Sequence, residues 1–379
     1  MKSNYKQLGD YIQLVDERNR DNFVTRLLGV SIEKKFIESI ANTIGTDMSV
    51  YKIVKQGQFA YGPVTSRNGD KVSIALLEEE KCIISSSYTV FEIKDTQQLL
   101  PEYLMLWFRR PEFDRYARFH SHGSAREIFD WEEMCNVELP VPEIEEQQKI
   151  VDSYRAIENR ISILRQINDN LVEQTSANYQ QLIADNNSDG KIGDYCDIKS
   201  GYAFKSESWT NEGYKVIKIA NIIDNTIDLD SCDCVSEANA QKSKQFFVKN
   251  GDILIAMTGA TTGKIGIVPY CNEKITVNQR VGKFFLGDNP IDKLPFLVCT
   301  LLSKQVIMQL QPDGTAGSAQ DNLSADDIKN IKISYPSMEE IDTFNKKNKI
   351  YFEFITKNNA EIRFLSKLKN TVLQTLSSH

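Results

Sequence analysis

Apolar residues recur every three or four positions along two long stretches of the chain. The first runs through Ile150, Ile157, Ile161, Leu164, Leu171 and Leu182, and the second through Phe344, Tyr351, Ile355, Ile362, Leu365, Val372 and Leu376. That spacing predicts two long amphipathic helices. Pro142 and Pro336 stand at their starts, where a missing N–H costs nothing, and Glu143, Glu145, Glu146, Glu339 and Glu340 put negative charge at the positive end of each helix dipole. Ser337 and Glu340 fit a capping box. Asn168, Thr175 and Asn178 interrupt the first stripe, and such polar positions weaken a helix seam while fixing its register.

The two stretches repeat each other. Pro142 and Pro336 stand 194 positions apart, and the same offset carries Ile161 onto Ile355, Leu171 onto Leu365 and Leu182 onto Leu376. It extends upstream: Val54-Lys-Gln-Gly57 falls on Val248-Lys-Asn-Gly251, Gly69 on Gly263, Glu79 on Glu273, and Gly123-Ser-Ala on Gly317-Ser-Ala. Leu8-Gly-Asp-Tyr and Ile192-Gly-Asp-Tyr open the two globular parts. A tandem duplication of a globular-plus-helix unit accounts for the whole pattern. Short β-branched runs around Gly-rich turns, Phe59–Tyr61 with Val72–Leu76 and Gly251–Met257 with Lys264–Val268, read as hairpins. Pro101–Phe113 and Leu294–Leu310 have helical length and spacing. Each unit is expected to be α+β. The boundaries that follow are a first globular domain over 1–140, a long helix over 141–185, a linker over 186–190, a second globular domain over 191–335 and a second long helix over 336–379.

Geometry adds an expectation. If the duplicated units pack alike, the helices pair as an antiparallel coiled coil with an approximate two-fold axis. Roughly 40 residues at about 1.5 Å each span about 60 Å. With B-DNA rising about 3.4 Å per base pair, such a pair can act as a spacer between two sites somewhat more than one helical turn apart; the plainer reading of such helices is a dimerisation stalk.

A chain of 379 residues suits two or three domains. Seven scattered cysteines do not form a disulfide framework, and three histidines leave too few ligands for a zinc site. No run of about 18 apolar residues occurs and the start lacks the apolar core of a secretion signal, so a soluble cytoplasmic protein without membrane contact is expected. A net charge of −7 argues against coating nucleic acid by charge alone, though Lys and Arg cluster locally after residue 190 and from Arg109 to Arg126. Met257-Thr-Gly259-Ala-Thr-Thr-Gly263-Lys264 imitates a phosphate-binding loop, but its spacing is one residue short, Ile265 stands where Ser or Thr is required, and a strand follows. It reads as a turn. Asp326 and Asp327 sit at a helix start, and His120 and His122 read as surface-loop residues. No catalytic constellation emerges.

These features resemble the DNA-specificity subunit of Type I restriction-modification systems over nearly the whole chain. The resemblance rests on the two-unit order, on Leu139-Pro-Val-Pro142-Glu-Ile-Glu-Glu-Gln147-Gln148-Lys-Ile150, on Lys249-Asn-Gly251-Asp-Ile-Leu with Thr262-Gly-Lys-Ile-Gly266, and on Gly317-Ser-Ala-Gln320 with Asn322. The second unit departs by carrying Ser337-Met-Glu-Glu-Ile-Asp342 where a Glu-Gln pair is usual. The resemblance implies two target-recognition domains, each reading one half of a bipartite duplex. It implies helices that set the gap and dock two methyltransferase subunits, with restriction subunits joining the full complex. It also implies that this chain is non-catalytic and holds no cofactor, S-adenosylmethionine and ATP belonging to partner subunits. Base edges need donors and acceptors, and phosphates need cations or N–H groups. The candidate DNA contacts are Ser66, Arg67, Asn68 and Lys71 in the first domain, and Thr261, Thr262 and Lys264 in the matching loop of the second. Lys205, Asn278, Gln279 and Arg280 join them, as do Arg126 and Gln320 after the repeated Gly-Ser-Ala. Two other readings compete: a coiled-coil adaptor joining two ligand-binding domains, and a single-chain methyltransferase or nuclease.

Overall fold

A computed structural model describes residues 5–39, 45–66, 68–69, 71–123, 126–184, 188–310 and 322–377. The chain divides into two compact units, Met1–Asn159 with Lys367–His379, and Arg160–Ser366. The predicted long helices are Ile144–Ala184, 41 residues, and Met338–Thr375, 38 residues, and each contributes a segment to both units.

In the first unit a four-stranded antiparallel sheet orders its strands Ile12–Val15, Thr89–Ile93, Phe59–Tyr61 and Ile74–Leu76. The second unit repeats that order with Asp197–Ser200, Val281–Phe285, Ile253–Ala256 and Ile265–Ile267, then extends it through Thr226–Ile227 and Ile222–Ile223. Both expected hairpins are present at the matching place in the repeat. The glycines that enter them, Gly57 and Gly251, have φ of 83° and 80°, a left-handed backbone open to glycine at no steric cost.

The Gly-Asp-Tyr signature marks a clasp. Tyr5–Gln7 pairs with Glu138–Pro140, and Asp189–Lys191 pairs with Lys332–Ser334, so each globular part is closed where its chain enters a long helix. Asp189 and Gly190 thus belong to a strand and not to a free linker, because a partner strand from far along the chain satisfies their backbone groups. Leu8 and Ile192 are fully buried, and a Cβ at Gly9 would stand 2.8 Å from that of Cys135. Each expected shorter helix is two: Pro101–Phe108 and Pro111–Phe119, and Leu294–Leu301 and Lys304–Leu310. Pro111 forces Arg110 into extended backbone (ψ 139°) and breaks the first.

Both units complete their cores with both long helices. Val151, Tyr154, Leu373 and Leu376 enter the core of the first unit, packed with Phe108 and Tyr103. Tyr179, Ile341, Phe344, Phe352 and Ile355 enter that of the second. Within the second unit the helix segments run antiparallel: Asn178 Nδ2 donates to Asn348 Oδ1 (3.0 Å), Asn168 Nδ2 to Asn359 Oδ1 (2.9 Å), and Arg160 pairs with Glu361 (2.7 Å). The polar interruptions on the stripe therefore meet each other, which fixes register because a slip would bury unpaired amides.

Gln147 and Asn345 show how helix starts are fixed to the globular parts. Gln147 is fully buried; its Oε1 accepts from Leu100 N–H (2.9 Å) and its amide donates to the carbonyls of Gln98 and Pro142 (both 2.8 Å). The repeat places Ile341 there. Asn345, one turn later, takes over by accepting from Phe296 N–H (2.9 Å) and donating to Tyr195 Oη (3.0 Å). A second tie joins the helix to the strand Tyr214–Ile217 of the second unit: the Arg363 guanidinium donates to Glu273 (2.7 Å) and to Asp230, while Lys215 on that strand reaches Glu273 at 2.8 Å. Arg363, and then Lys215, hold the Glu273 carboxyl at about 2 against the opposing effect of burial.

Gln147→Leu leaves buried backbone groups of residues 98, 100 and 142 unpaired and should lower unfolding free energy by about 2 kcal/mol or more, read from urea midpoints. The depressed Glu273 carboxyl contributes stability that is fully present above its unfolded value of about 4.3 and is lost as pH falls through about 2. Thermal midpoints should fall across that window, and Arg363→Met should flatten the fall.

Candidate nucleic-acid interface

In the second unit four separate stretches meet. Gly201 N–H bonds Val281 O (3.0 Å) and Tyr202 N–H bonds Val277 O (2.9 Å), which ties the 201–209 loop to the 278–280 turn. Asn278 N–H bonds Ile217 O (3.0 Å), bringing in the turn at Lys218–Asn221. Met257 N–H bonds Arg280 O (3.0 Å), so the 258–264 loop leaves from the same place. Phe204, Trp209, Lys218, Ile219, Gln279 and Arg280 enclose a cavity of about 290 Å³ there. Its wall is aromatic and cationic. Phe204 packs on Tyr202 at 4.9 Å and on Trp209 at 5.9 Å, and Lys218 Nζ lies 3.8 Å over the Trp209 ring while pairing with Asp233.

The candidates in this unit take different places. Asn278 is buried, and its Oδ1 accepts from Arg280 N–H (3.4 Å), so it shapes the turn from within. Gln279 and Arg280 project from that turn, exposed, with no side-chain partner among the described residues. Lys205 and Lys264 are exposed as well. The Thr262 hydroxyl donates to Gly259 O at 2.6 Å, inside its own turn, and the Thr261 hydroxyl is buried without a hydrogen-bond partner among the described residues. The phosphate-loop imitation is a turn between strands, Gly259 and Gly263 having φ of 76° and 85°.

In the first unit the hairpin loop after Tyr61 is held by Thr65, whose N–H bonds Glu127 O (3.0 Å) and whose hydroxyl donates to Ser121 Oγ (3.0 Å). This brings exposed Ser66 and half-buried Asn68 toward the segment of exposed Arg126. Asn68 Nδ2 donates to Val64 O at 3.4 Å, and Lys71 pairs with Glu33 at 2.7 Å. Arg67 and Gln320 lie outside the described residues. His120 and His122 are not isolated: Nδ1 of the first is 3.1 Å and Nε2 of the second 3.6 Å from Glu133.

Tyr202, Phe204, Trp209 and Lys218 escaped the candidate set. Their signal was present as aromatic residues interleaved with lysines between Lys199 and Lys218. Burial raises the thiols of Cys82 to about 11 and of Cys196, Cys232 and Cys299 to about 12, which leaves them protonated and poor nucleophiles. Among the described residues no group of His, Cys, Asp and Glu could hold a metal ion, and no helix is long and apolar enough to cross a membrane.

Paired α+β units whose loops present amide, guanidinium, ammonium and aromatic groups define a two-part recognition protein. The sequence matches the Type I restriction modification DNA specificity domain twice, over residues 28–173 and 185–374. It is 24% identical to the Type I restriction enzyme MjaVIII specificity subunit of Methanocaldococcus jannaschii, across 78% of this chain and 74% of that one. It is 19% identical to the HindI specificity subunit of Haemophilus influenzae across 97% of both. The fold is similar to the crystal structure of the Type-I restriction-modification S subunit from M. genitalium, with a TM-score of 0.59, 14% identity and coverage of 98% of this chain and 95% of that one. The chain belongs to the DNA-specificity family of Type I restriction-modification systems, whose members recognise sequence and are non-catalytic. That membership sets aside the adaptor reading.

Proposed function

We propose that each unit reads one half of a split duplex target, and that the two long helices set the gap and dock two methyltransferase subunits. The observation that carries this reading is the repeated strand order in two units whose exposed loops differ in sequence. A duplicated scaffold supplies two equivalent presentations, and different loops supply two different half-sites. Helices of 41 and 38 residues support a gap of fixed length.

In the second unit Gln279 suits the N6 and N7 edge of adenine and Arg280 the O6 and N7 edge of guanine. Lys205 and Lys264 flank them as phosphate contacts, and Asn278 and Thr262 hold the two turns in shape. In the first unit Ser66, Asn68 and Arg126 face bases; Arg67 and Gln320, outside the described residues, stay base-contact candidates on residue type alone. S-adenosylmethionine binds the methyltransferase subunits and ATP the restriction subunits, in a cytoplasmic assembly in which this chain transfers no group.

Selection from random duplexes by the full chain with methyltransferase subunits should return two short motifs at a constant gap; a single unbroken motif contradicts the proposal. Gln279→Ala and Arg280→Ala should each cost about 1–3 kcal/mol of discrimination at one base pair, all within one half-site, while changing folding stability by less than about 0.5 kcal/mol because the side chains are exposed. Adding one heptad to both helices should lengthen the selected gap and leave both half-sites unchanged.

A further inference from the structure

We propose that a cationic cleft in the first unit is a second DNA site, one that grips backbone phosphates without regard to sequence. This rests on the DNA-recognition reading above and adds a separate affinity element to it. The cleft encloses about 1050 Å³, and the described residues that line it include seven lysine and arginine side chains against three carboxylates. In a chain of net charge −7, such a local excess is not a sample of the general surface.

The floor of the cleft is a buried pair. Lys34 takes a left-handed backbone (φ 61°), and its ammonium turns inward to the Phe108 carbonyl and to Asp114 at 2.7 Å. Asp114 also accepts from Val72 N–H at 3.0 Å, so this neutral pair locks a turn, a helix and a strand entry together. Burial draws the Lys34 ammonium below its ordinary range, with Asp114 opposing the shift.

The cations above that floor are differently placed. Lys35 is exposed and has no ion-pair partner among the described residues. Arg115 and Arg118, three residues apart on the Pro111–Phe119 helix, share a face. Among the described residues Arg115 pairs only with exposed Glu112 at 3.0 Å, and Lys71 only with exposed Glu33 at 2.7 Å. Exposed pairs of this kind are weak, so phosphate can replace the carboxylate with little penalty. A backbone strand is a convex ridge of closely spaced negative charges, and a concave cationic wall matches it.

The cleft is continuous with the candidate base-reading loop. Lys71 belongs to both, and Arg118 donates to Gly69 O (3.4 Å) while pairing with Glu127 (2.7 Å), whose carbonyl anchors Thr65. The cavity of about 630 Å³ in the second unit has the opposite character: four aspartates and two arginines line it, and Arg363 is engaged by Glu273 and Asp230. The phosphate grip therefore belongs to the first unit.

The test is the double variant K35Q/R115Q in the full chain assembled with methyltransferase subunits, with K35R/R115K as the charge-conserving control. Binding to a target duplex and to an unrelated duplex is measured from 50 to 200 mM salt, by anisotropy, with thermal midpoints as a folding check. K35Q/R115Q should weaken both duplexes by the same factor, about tenfold, and reduce the salt slope by about 1.8 for two lost phosphate contacts, while K35R/R115K keeps the slope. An unchanged slope, or a changed ratio between the two duplexes, overturns the proposal. So does loss of subunit assembly with unchanged DNA affinity, which would assign the cleft to an acidic protein surface. A wild-type protein that binds duplexes without sequence choice contradicts the recognition reading instead, because the slope still reports on the cleft.

Discussion

Neither sheet can cover its own apolar face, and each is closed by segments of both long helices. The core of the second unit needs Tyr179 from one helix and Ile341, Phe344, Phe352 and Ile355 from the other, and the core of the first needs Val151 and Tyr154 together with Leu373 and Leu376. The second long helix from Lys367 onward is thereby part of the first unit. Hydrophobic burial supplies the attraction, worth about 1.5–3 kcal/mol for each large apolar side chain fully removed from water, but it does not select a register. Selection falls to the directional contacts: Asn178 with Asn348, Asn168 with Asn359, Arg160 with Glu361, and the amides of Gln147 and Asn345.

The helices, their capping and the tandem organisation were legible in the sequence because they depend on local periodicity. Ser337 and Glu340 form the expected box, with Ser337 N–H to Glu340 Oε2 at 2.9 Å. The stripe itself was drawn too narrow. Val151, Tyr154, Tyr179 and Phe352 are buried, whereas Ile150 and Tyr351 are only half-buried. Each helix meets a partner helix on one side and a globular part on the other, so its buried face is wider than a coiled-coil seam. The strand at Asp189–Lys191 was hidden for another reason: its partner lies about 140 residues away and polar composition made it look like a linker.

The candidate interface divides the same way. Gln279 and Arg280 were readable as amide and guanidinium groups in a turn context. Their assembly with Phe204, Trp209 and Lys218 was not, because those stretches are joined by one or two backbone hydrogen bonds across a long separation. Net charge was a poor guide as well. An acidic chain holds a cationic cleft in one unit and an aspartate-lined cavity in the other, and only the fold sorts the charges. Burial separates roles among carboxamide side chains: Asn278 shapes a turn from inside while Gln279 beside it is exposed.

The central claim is that one scaffold, used twice, reads two independent half-sites. Replacing residues 197–331 by the equivalent segment of a family member with another target, in cells that carry the methyltransferase subunits, and then mapping methylated adenines across the genome tests it directly. The account predicts that one half of the methylated motif changes while the other half and the gap stay constant. A motif that changes in both halves, or a gap that moves with the exchange, would contradict it.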